Sequence, residues 1–314
     1  MAKKLRQRLN TGGDGAYFTP SSTLRFVKTG STLLDCVLGG GYPLGRIVNI
    51  VGDKSSGKTL LAMEASANFL LQYSKGKVYY VEAEAAFDPA YASSLGIPIG
   101  KGMEIVDSCH TVEEWFAHLE KTLASHKKTN IPGLYIVDSL DALSDTAELE
   151  RDLDKGSYGA GKAKKLSEIF RRVVREIEDS SVCLIIISQV RDKIGVVFGE
   201  KHSRSGGRAL DFYASQALWL AHIKILNKTI RGTTRAVGVR IKAKCKKNKV
   251  GLPFRECEFD ILFGYGIDDV GSMQDWLKSI KHSHVWKDRI ADPPAVIQLW
   301  RELDDEFMPK ERKY

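Results

Sequence analysis

Short, nearly continuous apolar runs recur along the chain, and they predict β-strands. The segments RIVNIV (46–51), KVYYVE (77–82), GLYIVD (133–138) and VCLIIIS (182–188) are rich in β-branched and aromatic residues. Strands that are covered on both faces show such continuous apolarity, whereas strands with one exposed face alternate apolar and polar residues. The four runs therefore predict buried strands of a mainly parallel sheet.

Longer segments of mixed polarity separate these runs and predict helices. Residues 57–75 have apolar residues at helical spacing and contain no proline, and 112–126 and 162–179 are long enough for crossover helices. Strands that alternate with helices are typical of an α/β domain. Three later apolar runs lie closer together and predict antiparallel strands added to the sheet. These runs cover residues 216–223, 237–245 and 257–263.

The two ends of the chain differ from its middle, which predicts three regions. Residues 1–25 are polar, rich in Gly, Thr and Ser, and basic at their start, so we expect a basic N-terminal arm. Residues 26–265 carry the alternating pattern and should form the core. Residues 266–314 hold three of the five tryptophans and a Pro-Pro break, which predicts a small C-terminal helical region.

Charge and cysteine content narrow the class of protein. The 47 Lys and Arg outnumber the 39 Asp and Glu, and a formal charge of +8 favours polyanionic partners, nucleic acid first. No apolar run approaches the roughly 18–20 residues of a membrane span, and no apolar stretch of a secretory signal follows the basic start. The five cysteines form no C-x-x-C pair, which fits reduced thiols. We therefore expect a cytoplasmic protein with no membrane partner.

One motif is specific for phosphate binding, because G-x-x-x-x-G-K-[ST] stands directly after a predicted strand and before a predicted helix. Its residues are Gly52, Asp53, Lys54, Ser55, Ser56, Gly57, Lys58 and Thr59. In such a turn the backbone N–H groups face phosphate oxygens, and the N-terminus of the helix adds positive potential. Lys58 can reach the β- and γ-phosphates, and the Thr59 hydroxyl can bind Mg²⁺. The motif predicts a nucleoside-triphosphate site.

Carboxylates follow two other predicted strands. Asp138 ends the run 133–138 at the carboxyl edge of the sheet, where ligands gather in open α/β folds, so we predict that it helps to hold the Mg²⁺. Hydrolysis also needs a group that orients or deprotonates the attacking water. Glu82 and Glu84 follow the run 77–82, and either of them fits that task, because their spacing does not choose between them.

The segment VRDKIGVVFGEKHSRSGGR (190–208) combines cations with apolar residues between glycines. Cations neutralise phosphates, and apolar side chains can wedge between bases or stack on them, so the segment predicts a DNA-binding loop. The alternative is a surface loop that covers an edge of the core. A second basic cluster lies on the predicted helix 162–179, where a solvated helix face is an equally good interpretation.

In their order along the chain, these motifs resemble those of RecA-type DNA recombinases over most of residues 29–265. The segments that carry the resemblance are SSGKT with its lead-in, EAEAAFDPAYASSLG, VDSLDAL, ISQVRDKIGVVFG with SGGRALDFYAS, and KCKKNKVGLPF with CEFDILFGYGI. The resemblance implies a P-loop NTPase core that uses ATP and Mg²⁺. It also implies a DNA-dependent ATPase that forms homo-oligomeric helical filaments on single-stranded DNA and exchanges strands with double-stranded DNA.

Other classes remain open beside this one. Ring-forming motors of the same fold, such as a DnaB-like helicase or a RadA-like ATPase, share the phosphate loop. A filament protein that binds ATP without hydrolysing it would share the loop as well.

The resemblance also implies roles for particular residues at the nucleotide. The family's catalytic glutamate falls on Glu84 rather than Glu82. Asp88 and Tyr91 match residues that contact the adenine, and Gln189 matches the glutamine that couples the γ-phosphate to the second DNA-binding loop.

Two further sets of residues follow from the resemblance. Lys247 and Lys249 match a lysine pair that reaches ATP across the subunit interface, and Phe212 matches an aromatic residue of that interface. We expect the strand with this lysine pair to lie far across the sheet from the phosphate loop, with no acidic partner near the pair. The residues that the resemblance assigns to DNA are Lys164, Arg191, Ile194, Val196, Phe198, Ser205, Gly206, Gly207 and Arg208.

Overall fold

The computed structural model describes residues 24–85, 87–149, 160–192, 202–204, 207–282 and 292–309. Its strands are β1 (Phe26–Val27), β2 (Tyr42–Pro43), β3 (Ile47–Gly52), β4 (Lys77–Glu82), β5 (Met103–Val106), β6 (Gly133–Asp138), β7 (Val182–Asp192), β8 (His202–Arg204), β9 (Gln216–Ile230), β10 (Thr233–Asn248), β11 (Glu256–Leu262) and β12 (Gly266–Asp268). Its helices are α1 (Thr32–Leu38), α2 (Lys58–Gln72), α3 (Pro89–Ser94), α4 (Val112–Thr129), α5 (Thr146–Leu149), α6 (Ala160–Ser180), α7 (Gly207–Tyr213), α8 (Asp269–Ser279) and α9 (Pro293–Phe307).

The main sheet is parallel in its centre and antiparallel on one side. Its strand order is β12-β11-β10-β9-β3-β7-β6-β4-β5. Neighbouring strands from β9 to β5 are parallel, whereas β9 to β12 pair antiparallel. This arrangement confirms the predicted mainly parallel sheet with antiparallel additions, and β4 and β6 have the predicted bounds.

Helices cover both faces of the parallel part. β3 and β6 are buried along their whole length, as their continuous apolarity predicts. On one face α2 packs Leu61 and Phe69 into the core, and on the other α4 and α6 contribute Trp115 and Phe170. A capping box at Thr111 starts α4, because its hydroxyl accepts the Glu114 N–H while the Glu114 carboxylate accepts the Thr111 N–H.

The strands β9 and β10 extend well beyond their predicted bounds. They hold 15 and 16 residues and form one long hairpin. The turn between them has positive φ at Arg231 (51°) and Gly232 (78°), which suits the two-residue turns of tight hairpins. The predicted strands end short because the outer half of the hairpin is exposed on both faces and therefore lacks the apolar pattern of a covered strand.

The described part of the C-terminal region holds the helices α8 and α9, but it begins with β12, which belongs to the main sheet. Trp276 of α8 and Trp300 of α9 lie against each other with ring centroids 5.3 Å apart. Arg255 forms an ion pair with Asp304 of α9 at 2.7 Å, which ties the helix to the end of the sheet. The predicted N-terminal arm falls almost wholly outside the described residues. Among the described helices, none is both long and apolar enough to span a lipid bilayer.

Candidate nucleotide and DNA site

The glycine-rich turn forms between β3 and α2 at the carboxyl edge of the sheet. Gly57 caps α2 with φ 84°, and Ser55 also adopts a positive φ of 58°. A Cβ atom at Gly57 would lie 2.5 Å from Ile261 Cδ1, and a side chain would strain the positive φ, so this position favours glycine. The Ser56 hydroxyl donates to the Asp53 carbonyl at 2.8 Å, which closes the turn. Asp53 and Lys54 are exposed in this turn, and Ser56 is buried.

Lys58 lies over the turn and near several carboxylates. Its ammonium group donates to the Asp53 carbonyl at 2.6 Å. Burial lowers the pKa of Lys58, whereas the nearby charges of Asp138 and Glu84 act in the opposite direction. A bound triphosphate would add negative charge and favour the protonated lysine, so this environment suits a lysine that binds phosphate.

Thr59 and Asp138, the predicted magnesium ligands, lie in direct contact. The Thr59 hydroxyl donates to Asp138 Oδ2 at 2.7 Å, and the Tyr80 hydroxyl donates to the same oxygen at 2.6 Å. Burial raises the pKa of Asp138, and the charge of Glu84 adds to that effect. A cation beside Asp138 would counter both effects, because an opposite charge favours the ionised carboxylate.

These residues fit Mg²⁺ held together with a nucleotide. The described part of the chain contains no group of three or more His, Cys, Asp or Glu side chains that could hold a metal ion. Mg²⁺ commonly binds through one or two protein oxygens, substrate phosphates and water. Thr59 and Asp138 can supply the protein oxygens of such a shell.

Glu84 forms contacts with the ends of two other strands. Gln189 of β7 donates from Nε2 to Glu84 Oε1 at 3.1 Å, and the Ser139 hydroxyl donates to the same oxygen. The backbone N–H of Gln189 donates to Asp141 Oδ2 at 2.9 Å. Glu82 lies instead at the end of β4, opposite Asp138 in the sheet register. The structure thus joins Glu84 with Gln189.

The two residues matched to adenine contacts lie at the start of α3. Asp88 caps this helix, because its Oδ1 accepts from the backbone N–H groups of Ala90 at 2.8 Å and Tyr91 at 3.1 Å. The Tyr91 side chain is 45% exposed and therefore accessible to a base. Asp88 accordingly has a structural role in helix capping whether or not a nucleotide is bound.

Lys247 and Lys249 lie at the amino edge of the parallel strands, opposite the phosphate loop. In the register, Lys247 stands beside Ala217 at the start of β9, whereas the phosphate loop follows Gly52 at the end of β3. Lys247 donates to the Phe212 carbonyl at 2.9 Å, and Lys249 donates to the same carbonyl at 3.1 Å. Phe212 is 70% exposed near the end of α7. The two ammonium groups thus lie at the negative end of that helix.

One expectation about this lysine pair was wrong. β10 is not far across the sheet from β3, because only β9 lies between them. The pair also has local acceptors that are not acidic side chains, because the Phe212 carbonyl of α7 accepts from both lysines. The sequence pattern did not reveal these contacts, because the carbonyls belong to the backbone of another element.

The basic cluster on α6 divides into two groups. Arg172 pairs with Glu120 of α4 at 3.0 Å and lies over the Phe116 ring at 4.7 Å, and Lys165 pairs with Glu113. These side chains stabilise the contact between two helices. Lys164 lies on the exposed surface of α6, where it is accessible to a polyanion.

Five of the residues assigned to the second DNA-binding loop lie outside the described residues. They are Ile194, Val196, Phe198, Ser205 and Gly206. Within the described backbone, Arg191 belongs to β7 and pairs with Ser203 of β8, and Gly207 and Arg208 begin α7. The described ends of β7 and α7 therefore lead into this segment from both sides.

Sequence reasoning missed three polar groups of the site. Tyr80 stands within the apolar run KVYYVE and reads as a core residue, yet its hydroxyl contacts Asp138. Ser139 and Asp141 follow the predicted magnesium ligand and contact Glu84 and Gln189. The only sequence signal for these two residues was their position directly after a strand, where ligand-binding residues of α/β sheets cluster.

A phosphate turn after the central strand, with Asp138 and Glu84 at neighbouring strand ends, defines a P-loop NTPase. Residues 17–268 match the RecA N-terminal domain, and the chain belongs to the RecA family.

Named relatives cover most of the chain. This chain is 38% identical to Protein RecA of Streptomyces avermitilis over 257 residues. The aligned residues make up 82% of this chain and 65% of that protein. Protein RecA of Prochlorococcus marinus is 38% identical over 249 residues, 79% of this chain and 63% of the relative. Protein RecA of a Synechococcus species is 40% identical over 249 residues, with the same two shares. The chain thus spans slightly less than two thirds of the length of these relatives.

Proposed function

We propose that this protein is an ATP-dependent homologous DNA recombinase. It forms helical filaments on single-stranded DNA with ATP and Mg²⁺, pairs that strand with double-stranded DNA, and promotes strand exchange. A cytoplasmic location and the division into residues 1–25, 26–265 and 266–314 are part of the proposal. The observation that carries it is the contact between Glu84 and Gln189, because it joins the nucleotide site to the strand that leads into the predicted DNA loop.

In the proposed ATPase, each group of the site has one task. The backbone of residues 52–59 and the Lys58 ammonium bind the phosphates, and Thr59 and Asp138 hold Mg²⁺. Mg²⁺, when bound, neutralises charge on the β- and γ-phosphates. Glu84 orients the attacking water and accepts its proton. Tyr80 and Ser139 hold the two carboxylates in place through their hydroxyl groups.

Gln189 is the proposed coupling residue. Its side chain holds Glu84 through one hydrogen bond, and its backbone is anchored to Asp141. A γ-phosphate beside Glu84 would offer the Gln189 amide a second acceptor, which is lost when the phosphate leaves after hydrolysis. The end of β7, which carries Gln189, would therefore take one position with ATP and another with ADP. The DNA loop that follows β7 would then bind DNA tightly only with ATP present.

We assign Lys247 and Lys249 to the ATP of a neighbouring subunit. They lie at the amino edge of the sheet, and the phosphate loop of the same chain lies at the carboxyl edge. A filament that stacks subunits edge to edge would bring this lysine pair to the neighbour's triphosphate. Cations supplied in trans can accelerate phosphoryl transfer by roughly 10³–10⁵.

DNA binding is assigned to Lys164 and to the loop between β7 and α7. The cations of this loop, which include Arg191 and Arg208, neutralise phosphates of the DNA backbone. Ile194, Val196 and Phe198 contact bases, and Ser205, Gly206 and Gly207 form the end of the loop. None of these contacts reads a base sequence, because homology is read by base pairing between the DNA strands.

The ring-forming motors are the second candidate. They share the phosphate loop, but the apolar, glycine-bounded segment IGVVFG (194–199) favours a protein that intercalates between bases of a stretched strand. A filament protein that binds ATP without turnover is disfavoured by Glu84, since such a protein needs no carboxylate held at the γ-phosphate side of the site.

The test measures ATP hydrolysis with and without single-stranded DNA, together with strand exchange between a circular single strand and a linear duplex. We expect DNA-stimulated hydrolysis and exchange in the wild type, neither in Lys58→Ala, and both in Lys54→Ala, the matched lysine of the same turn. Duplex unwinding without exchange would favour the helicase class. ATP binding without turnover would favour the non-hydrolysing class.

A further inference from the structure

The loop that follows β6 contacts both the nucleotide site and the start of α6. We call residues 139–145 the β6–α5 loop. At its beginning, the Ser139 hydroxyl donates to Glu84 Oε1, and Asp141 Oδ2 accepts from the Gln189 N–H at 2.9 Å. Farther along, two of its carbonyls accept hydrogen bonds from α6. A displacement of this loop would therefore be felt at both places.

Lys162 fastens the first turn of α6 to this loop. Its ammonium group donates to the Asp141 carbonyl at 3.2 Å and also to the Leu143 carbonyl. The Lys162 side chain is half-buried. Hydrogen bonds from a charged donor are roughly twice as strong as neutral ones. Because both acceptors are carbonyls, Lys162 holds the backbone of the β6–α5 loop rather than one of its side chains.

A second lysine of the same helical turn holds the end of the loop. Lys165 forms an ion pair with Glu113 of α4 and lies 3.9 Å from Asp145 Oδ1. Asp145 is buried, and its Oδ1 also accepts from the Glu148 N–H at 2.8 Å. Residues three apart in a helix are neighbours on its surface, so Lys162 and Lys165 together attach one side of α6 to the loop.

The same turn presents Lys164, to which DNA binding is assigned above. Lys164 is exposed, whereas Lys162 and Lys165 are half-buried against the loop. Hydrogen-bond networks and rigid helices can carry energetic coupling between distant sites. A shift of the β6–α5 loop would therefore move the first turn of α6 and, with it, the ammonium group of Lys164.

The charge of Asp141 acts on the nucleotide site. Burial lowers the pKa of Lys58, and the charges of nearby carboxylates, Asp141 among them, oppose that shift. A triphosphate bound at Lys58 would bring further negative charge toward Asp141, and like charges repel each other. ATP carries more of this charge than ADP. The two nucleotides would therefore act differently on the β6–α5 loop and on its contact with Lys162.

We infer that Lys162 is a positioning residue that couples the nucleotide site to the DNA contact at Lys164. The path runs from Glu84 and Lys58 through the β6–α5 loop to the first turn of α6. It differs from the path through the Gln189 side chain, because it reaches another DNA contact on another element. The inference rests on the proposed recombinase function and adds a second route by which ATP controls DNA binding.

The test measures the affinity for a fluorescent oligothymidine with a slowly hydrolysed ATP analogue and with ADP, each with Mg²⁺. The ratio of the two affinities reports the coupling. Lys162→Met keeps the apolar stem of the side chain and removes its donors. We expect the ratio to fall about fivefold or more, a change within the range of ordinary allosteric coupling. The extra preference that DNA gives the protein for the analogue over ADP should fall by the same factor, because such coupling is reciprocal.

Two further variants separate the position of the lysine from its charge and from misfolding. Lys164→Met removes the same charge from the exposed neighbour, so it should lower DNA affinity with both nucleotides and leave the ratio unchanged. Lys162→Arg retains the charge and several N–H donors, so it should keep most of the ratio. Hydrolysis of ATP without DNA should stay near the wild-type level in Lys162→Met, which shows that the nucleotide site is intact.

Several results would overturn the inference. An unchanged ratio in Lys162→Met, beside normal coupling in the wild type, would make Lys162 a structural contact and leave the proposed function standing. An equal fall of the ratio in Lys164→Met would assign the effect to the charge of α6. An equal fall in Lys162→Arg would assign it to packing rather than to the hydrogen bonds. A wild type that binds DNA equally with both nucleotides would overturn the proposed function together with this inference.

Discussion

Gln189 and Glu84 are joined by a hydrogen bond of 3.1 Å, although 105 positions separate them in the chain. Glu84 follows β4 and Gln189 belongs to β7, and β6 lies between these strands. The contact therefore crosses three neighbouring strand ends. It connects the carboxylate proposed to orient water with the strand that leads into the predicted DNA loop, so a change at one end of this contact should be detected at the other.

The first prediction concerns Glu84. Glu84→Gln should retain ATP binding but reduce ATP turnover at least a hundredfold. Loss of one preorganised group that acts in the transition state costs about 2.7–4 kcal/mol. Nucleotide binding and steady-state hydrolysis are measured on the same preparation, with Glu82→Gln as the matched control. Normal turnover in Glu84→Gln together with loss in Glu82→Gln would transfer the role to Glu82.

The second prediction concerns the coupling itself. Gln189→Ala should keep the slow hydrolysis seen without DNA and lose most of its stimulation by single-stranded DNA, because Glu84 no longer has a partner on β7. Gln189→Glu should lose both activities, since two carboxylates at hydrogen-bond distance repel each other. Stimulation that persists in Gln189→Ala would exclude Gln189 as the coupling residue.

The third prediction tests the role of Lys247 and Lys249 in trans. The double variant Lys247→Ala/Lys249→Ala should be inactive alone and should regain ATPase when mixed with Lys58→Ala subunits. Each variant then supplies the group that the other lacks at a shared interface. Lys246→Ala is the control, because the Lys246 ammonium lies over the Trp219 ring, 3.7 Å from its centroid. A mixture that stays inactive while both variants co-assemble on DNA would contradict the trans role.

The fourth prediction concerns the segment between β7 and α7. Phe198→Ala should weaken single-stranded DNA binding by about 1–3 kcal/mol if the ring stacks on bases. Arg191→Ala should also lower the salt dependence by about one phosphate contact. Binding titrations over a range of salt concentrations measure both effects, with Lys75→Ala as a surface control. Unchanged affinity in both variants would assign single-strand binding to another surface.

The fifth prediction follows from a buried carboxyl group in α1. Burial raises the pKa of Asp35 to about 6, and the charge of Lys28 opposes that shift. An acid whose pKa is raised by folding stabilises the folded state at low pH, and that contribution is lost as the pH rises toward the folded-state value. The free energy of unfolding of the wild type, relative to Asp35→Asn, should therefore fall by about 2–3 kcal/mol between about pH 4 and pH 7. Chemical denaturation at several pH values measures this difference, and a constant difference would contradict it.

The sequence by itself determined the local elements and the phosphate turn. β4 and β6 have the bounds that their apolar runs predict, and α2 starts at Lys58 within the motif. These features depend on hydrogen bonds and side-chain periodicity over a few neighbouring residues, which a single sequence shows directly. The order of motifs also indicated the family, which the comparison with known proteins confirmed.

Only the tertiary structure decided which of these elements meet. Glu84 contacts Gln189 because β4, β6 and β7 are adjacent, and Lys247 lies at the amino edge because β10 returns antiparallel to β9. The exposed outer half of the β9–β10 hairpin had no apolar pattern from which its length could be predicted. Strand order and register are set by long-range packing of the whole core, so the distances that form this site follow from contacts between residues far apart in the chain.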